Sequence, residues 1–114
     1  MSVVIVDDHP TFRSAARELL TARGYAVIGE ADCAAAAHAL VARVVPDAVL
    51  LDLQLGDECG FDVAWALTRT HPELRVLLVS AAGDADPRRI RESGACGFLL
   101  KSQLGRVGVD PFAP

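Results

Sequence analysis

Five short apolar runs punctuate the chain, at residues 2–6, 25–29, 48–51, 75–79 and 97–100, and none alternates regularly with polar positions. Unbroken runs of Val, Ile and Leu mark parallel strands covered on both faces, whereas a half-exposed strand alternates. Between the runs the apolar spacing turns helical. Phe12, Ala16, Leu19 and Leu20 form one stripe, which Gly24 closes. An Ala-rich stretch runs from a predicted N-cap at Asp32 to about Val44, with Pro46 beyond its end. Phe61, Ala64, Trp65 and Thr68 mark one face of a third helix that stops before Pro72. Asp86-Pro87 opens a fourth, a cap followed by proline at the first helical position, which ends at Gly94. Its apolar content is Ile90 beside Arg88, Arg89 and Arg91, so marginal packing is expected. Strand–helix alternation with right-handed crossovers predicts an α/β fold, a doubly wound five-stranded parallel sheet. Gly105, Gly108, Pro111 and Pro114 argue against a last helix of normal length, which is expected to be short or missing. The division predicted is one domain over 1–102 and an irregular tail over 103–114.

The polar residues that end these runs are the informative ones. Asp7 and Asp8 follow the first run, Asp52 the third, Ser80 the fourth and Lys101 the fifth. In an open parallel sheet such ends share one edge, where ligands bind. Three clustered carboxylates repel one another unless protons or a cation offset them, and all-oxygen ligands suit Mg²⁺. A carboxylate can also attack phosphorus and form an aspartyl-phosphate. Mg²⁺ and Lys101 would then each meet a phosphoryl oxygen, and the Ser80 hydroxyl would donate to a third. Alone, each residue reads as a turn, a cap or a solvated lysine. Their conjunction at successive strand ends points to one site.

Composition narrows the class further. The chain has 114 residues, 52% of them hydrophobic, and a formal charge of −4, which suits a compact soluble domain. That charge offers no general electrostatic reason to bind nucleic acid or an anionic membrane. No apolar run approaches a membrane span, and Met1-Ser2 leads directly into a strand, so a cytoplasmic location is expected. Cys33, Cys59 and Cys96 lack the paired spacing of a zinc site and read as small apolar residues in a reducing compartment.

The motifs resemble the receiver domain of two-component response regulators. They are Val-Asp-Asp-His-Pro at 6–10, Leu-Leu-Asp-Leu at 50–53 with Gly60 beyond, Val-Ser-Ala at 79–81, and Gly-Phe-Leu-Leu-Lys at 97–101. The first and last are most similar to the NarL/FixJ-like subfamily. The resemblance implies a flavodoxin-like sheet of order 2-1-3-4-5. It implies that a histidine kinase phosphorylates Asp52, and that Asp7 or Asp8 binds Mg²⁺ together with Asp52 and the backbone carbonyl of Gln54. Ser80 and Phe98 match the switch pair, whose movement the fourth helix and fifth strand would report. Catalysis would extend only to the domain's own phosphorylation and dephosphorylation.

Three departures stand out. Gly56 replaces a usual proline, so the loop over 54–60 is expected to be looser. Ser102 replaces a proline that other NarL/FixJ-like members also lack. The missing fifth helix would expose an apolar patch, and two explanations follow: dimerisation through that face, or a chain cut from a longer regulator with a lost DNA-binding domain or another downstream partner. Nothing after Lys101 could itself form a DNA-binding helix-turn-helix.

The remaining residues have plainer expected roles. His9, beside the acidic pair, has phosphodonor or metal ligand as its alternatives but reads as a turn residue at a helix start; Asp57 and Glu58 read as solvated loop residues, and the three arginines as a solvated face. Gln54 and Ala82 occupy positions where the family tunes dephosphorylation. His38 and His71 have no assigned role. A haloacid-dehalogenase-like phosphatase would need a second acid at Gln54. A flavin or nucleotide module would need a Gly-rich loop where Asp-Asp-His-Pro stands. A degenerate receiver, acting as a phosphorylation-independent interaction module, is the alternative closest to the leading reading.

Overall fold

The computed structural model of the chain describes residues 1–83, 85–106 and 111–112. The elements are β1 (Ser2–Val6), α1 (Pro10–Ala22), β2 (Ala26–Ala31), α2 (Ala34–Val44), β3 (Ala48–Asp52), β4 (Gln54–Leu55), β5 (Glu58–Cys59), α3 (Gly60–Thr70), β6 (Arg75–Ser80), α4 (Pro87–Glu92) and β7 (Gly97–Leu100). A 3₁₀ helix, Lys101–Arg106, follows. Five strands form one parallel sheet in the order β2-β1-β3-β6-β7. With the small β4–β5 hairpin set aside, this is the expected 2-1-3-4-5 order.

Side chains alternate across a strand, so each strand feeds two cores. Val4, Val6, Val49, Leu51, Val76 and Leu78 face α2 and α3, packing with Ala37, Val41, Phe61, Ala64 and Leu67. Val3, Ile5, Leu50, Leu77 and Val79 face the other way, onto Ala16 and Leu20 of α1. Double burial is why β1, β3 and β6 lack an alternating pattern, whereas the edge strand β2 alternates exposed and half-buried positions.

The second core corrects the expectation of an exposed face. Leu104 and Phe112 belong to it, at 3% and 0% exposure. Phe112 meets Tyr25 edge-on, with ring centroids 5.5 Å apart, and Arg23 Nη2 donates to the Gly105 carbonyl at 3.0 Å. Gly108 and Pro114 lie outside the described residues; among those described, Leu104 and Phe112 give this core two apolar anchors. The large hydrophobic residues exposed among the described ones are Met1, Ile28, Val45 and Trp65, none of them in this core. The ground for a homodimer through that face is therefore gone.

Local differences have similarly concrete causes. Trp65 is 49% exposed, with the Arg69 guanidinium 4.7 Å from its ring centre. The buried stripe of α3 runs instead through Gly60, Val63, Ala64 and Leu67, the i, i+3, i+4, i+7 set. Cys33, not Asp32, is the N-cap residue of α2 and makes no side-chain cap bond. Glu58 supplies one from the hairpin, its Oε1 accepting from the Ala34 N–H at 2.9 Å. Asp86 caps α4 as expected, accepting from Arg88 N–H at 2.9 Å. That helix buries none of its residues.

The loop after β3 is not loose. Gln54 pairs with Cys59 and Leu55 with Glu58 across a two-residue turn. Gly56 has φ +63° while Asp57 stays at negative φ. That pattern fits a type II′ hairpin turn, which takes glycine first and would exclude the usual proline.

Candidate functional site

The carboxyl ends of β1, β3, β6 and β7 bring the predicted residues together, since sheet register places these ends side by side. Val6 pairs with Leu51, Asp52 with Val79 and Ser80 with Leu100. Asp7 is fully buried, Asp52 is 3% exposed and Ser80 8%, while Asp8 lies at the surface. Lys101 Nζ reaches between the two buried carboxylates, 2.7 Å from Asp7 Oδ2 and 3.4 Å from Asp52 Oδ2. It also sits 4.4 Å from the centre of the Phe12 ring, an apolar wall that holds the ammonium inward.

The contact with Asp7 is charge to charge. Despite the short distance, its angles do not make a hydrogen bond, and the buried Oδ2 of Asp7 has no hydrogen-bond partner. The other oxygen accepts from the His9 backbone N–H at 2.8 Å and lies 2.9 Å from His9 Nδ1. Asp52 Oδ1 accepts from the Gln54 N–H at 3.2 Å. Burial raises the pKa of Asp52 above the ordinary carboxylate value, and the charge on Asp7 raises it further; Lys101 and the Gln54 N–H pull the other way. The surroundings thus disfavour the charge on Asp52 more than they offset it.

Whether the pocket fits a divalent cation can be judged from these donors. Asp7, Asp8, His9 and Asp52 each offer one ligand atom, all within 4.8 Å of one another. Three hard oxygen donors, two of them on buried aspartates, suit Mg²⁺. The residues present fit the ion.

Ser80 is placed at the site but turned aside, its hydroxyl donating to the Ala82 carbonyl at 2.9 Å. Phe98 is half-buried and packs against the α2/α3-side core. Gln54 approaches Asp52 through its N–H.

Two contributors escaped the sequence reading in this role, and a third was read otherwise. Phe12 walls Lys101 although its spacing marks it only as a helix-stripe residue. Arg13 Nη1 donates to the Asp7 carbonyl at 2.6 Å and its Nε to Glu30 Oε1 at 3.1 Å, fixing the loop from behind. His9, read as a turn residue, directs Nδ1 into the carboxylates. Gly60, by contrast, is flagged by its motif, and its role is now visible. Its N–H donates to the Leu53 carbonyl at 2.7 Å. A Cβ there would lie 2.5 Å from the Asp52 carbonyl oxygen and 2.6 Å from Leu53 Cα. Only glycine lets α3 start so close to the strand that carries Asp52.

A parallel sheet of this order with acids at the ends of β1 and β3 and a lysine after β7 defines a class. The family model of the response regulator receiver domain matches residues 3–106, and the chain belongs to that family. Within it the chain is NarL/FixJ-like. The transcriptional regulatory protein NarL of Mycobacterium tuberculosis is 42% identical over 101 residues, which cover 87% of this chain and 47% of that protein. The nitrate/nitrite response regulator protein NarP of Escherichia coli is 36% identical over 101 residues, with the same coverage. The solved signal receiver domain of the M. tuberculosis NarL response regulator superposes with a TM-score of 0.76 at 38% identity, covering 92% of this chain and 90% of that one. A LuxR-family response regulator from Aurantimonas sp. gives 0.82 at 31% identity, covering 96% and 76%. The chain spans about half the length of the relatives NarL and NarP. Among the described residues, no helix is long and apolar enough to cross a membrane.

Proposed function

We propose that this receiver accepts a phosphoryl group on Asp52 from the phosphohistidine of a histidine kinase, with Mg²⁺ held by Asp7, Asp8, Asp52 and the Gln54 backbone carbonyl. The supporting observation is Asp52 itself. It is a buried carboxylate at the end of the central strand, flanked by a second buried carboxylate and facing one lysine.

An Asp52 oxygen forms the new bond to phosphorus as the P–N bond to the kinase imidazole breaks, and the imidazole nitrogen retains that electron pair. When bound, Mg²⁺ offsets the carboxylate charge and polarises the phosphoryl group. Lys101 already lies 3.4 Å from Asp52 and neutralises a phosphoryl oxygen. Asp7 holds that ammonium from its other side. Catalysis by the chain is limited to this transfer and to its own dephosphorylation.

The switch follows from the Ser80 hydroxyl. Its present acceptor is the neutral Ala82 carbonyl, and a phosphoryl oxygen is a stronger one. Turning toward it vacates space for Phe98 to move inward. The segment most easily rearranged is α4, which buries no side chain. Its surface and β7 would report the state in the cytoplasm to a downstream protein or an attached DNA-binding domain.

The decisive measurement is intact mass after incubation with Mg²⁺ and acetyl phosphate. The native chain should gain one phosphoryl group and Asp52→Asn none. An unmodified native chain, or equal modification of both, would point instead to a phosphorylation-independent interaction module.

A further inference from the structure

We infer that His9 is a nitrogen ligand of the acidic site, and that the site therefore takes a first-row transition cation such as Co²⁺ or Zn²⁺ more tightly than Mg²⁺. This rests on the proposed reading of Asp7, Asp8 and Asp52 as a cation site. Its own ground is the position of one atom. His9 Nδ1 lies 2.9 Å from Asp7 Oδ1, 3.1 Å from Asp8 Oδ1 and 3.7 Å from Asp52 Oδ2. Around a cation with ligand bonds of about 2.1 Å, adjacent octahedral donors are about 3 Å apart and opposite ones about 4.2 Å. His9 Nδ1 stands at the adjacent-donor spacing from Asp7 and Asp8, and all four donor atoms lie within 4.8 Å, so a closure of about half an ångström would bring them to such spacings.

Two further observations point the same way. Asp7 Oδ2 is wholly buried against the Lys101 ammonium, 2.7 Å away, which leaves Oδ1 as the oxygen that faces His9 Nδ1. The His9 ring is also not engaged by the helix it precedes. His9 is the N-cap residue of α1 but makes no side-chain cap bond, and Pro10 occupies the first turn. The ring is 63% exposed, yet Nδ1 faces the carboxylates.

The chemistry then discriminates between ions. Mg²⁺ prefers oxygen donors and retains its waters, whereas Zn²⁺, Co²⁺ and Ni²⁺ gain from an imidazole nitrogen. Three carboxylates alone would not separate these cations as sharply. A protonated His9 that merely occupied the place of the cation would predict the reverse, with its removal strengthening the binding of every ion.

The test uses the metal-free chain and titrates Mg²⁺ and Co²⁺ separately by calorimetry, with the visible absorption of bound Co²⁺ as a second readout. His9→Ala should lose about tenfold or more in Co²⁺ affinity and shift the Co²⁺ bands, while Mg²⁺ affinity stays within about twofold. His9→Asn, a second variant retaining a polar group, should behave alike, and circular dichroism checks that both fold. Equal changes for both ions, stronger binding of both, or an unchanged Co²⁺ spectrum would overturn the inference. Asp52→Asn separates the two levels. If it weakens both ions while His9→Ala does nothing, only the role of His9 falls. If the native chain binds neither ion, the cation-site reading falls as well.

Discussion

Gly60→Ala is the sharpest structural test of the site, because the methyl group would strike the backbone that carries Asp52. The nearest atoms are the Asp52 carbonyl oxygen at 2.5 Å, Leu53 Cα at 2.6 Å and the Leu53 carbonyl oxygen at 2.9 Å. None is a flexible side-chain end. Going from 2.5 Å to the 3.4 Å of ordinary contact opens the α3–β3 junction by about 0.9 Å. Such overpacking costs about 1–3 kcal/mol, and the lower entropy of an unfolded alanine returns about 0.4–1 kcal/mol. The net loss of about 1–2 kcal/mol should lower Tm by roughly 4–8 °C in a domain of this size. The same shift displaces Asp52 from Lys101, and on the proposed function a misplacement near 1 Å reduces transfer about 10–100-fold. Urea denaturation and the initial rate of modification by acetyl phosphate read the two effects separately. Gly105→Ala is the control, since its Cβ would meet only the Leu19 Cδ1 methyl at 3.1 Å. A Gly60→Ala chain with native Tm and native rate would refute the close-approach argument.

Two other outcomes follow from the geometry. The folded-state pKa of Asp52 is raised, so this group favours folding fully below its ordinary value of 3.8, and that contribution is lost as pH rises through the higher folded value. In metal-free buffer Asp52→Asn should therefore gain stability relative to the native chain as pH rises from 4 toward 7; parallel curves from denaturation at several pH values would contradict this. Val45, which ends α2, has φ +46° and ψ +66°, left-handed backbone that a β-branched residue tolerates poorly. It is 68% exposed and so loses little packing on replacement; Val45→Asn should raise Tm by about 4 °C, from roughly 1 kcal/mol of relieved strain, and an unchanged or lower Tm would count against that strain.

How far residues alone could lead depended on the distance over which each signal acts. The strands were legible because double burial writes itself into a local run such as Val3-Val4-Ile5-Val6. The convergence of Asp7, Asp52 and Lys101 was legible because parallel topology sends every strand end to one edge. Features that need a partner from elsewhere were not. The cap of α2 comes from Glu58 in a hairpin, and nothing near Asp32 announces it. Gly and Pro in the tail speak against a helix but are silent about Leu104 and Phe112 as anchors. The spacing of Phe61, Ala64, Trp65 and Thr68 suggests one face, but the buried stripe includes Leu67 and leaves Trp65 out, since periodicity over so few residues leaves the stripe ambiguous. Side-chain direction, which gives His9 its interest, is not encoded in spacing.

The unburied α4 has a consequence for how this domain must be observed. A denaturation curve reports the cooperative unit, and that unit is the sheet with the helices seated in its two cores. A helix of six residues whose apolar contribution is the half-buried Ile90 can refold, shift or unwind with little trace in Tm or m-value. Calorimetry would then register two signalling states as one. Amide exchange at Arg88 to Glu92, or a spectroscopic label placed there, is where the difference between them would become visible.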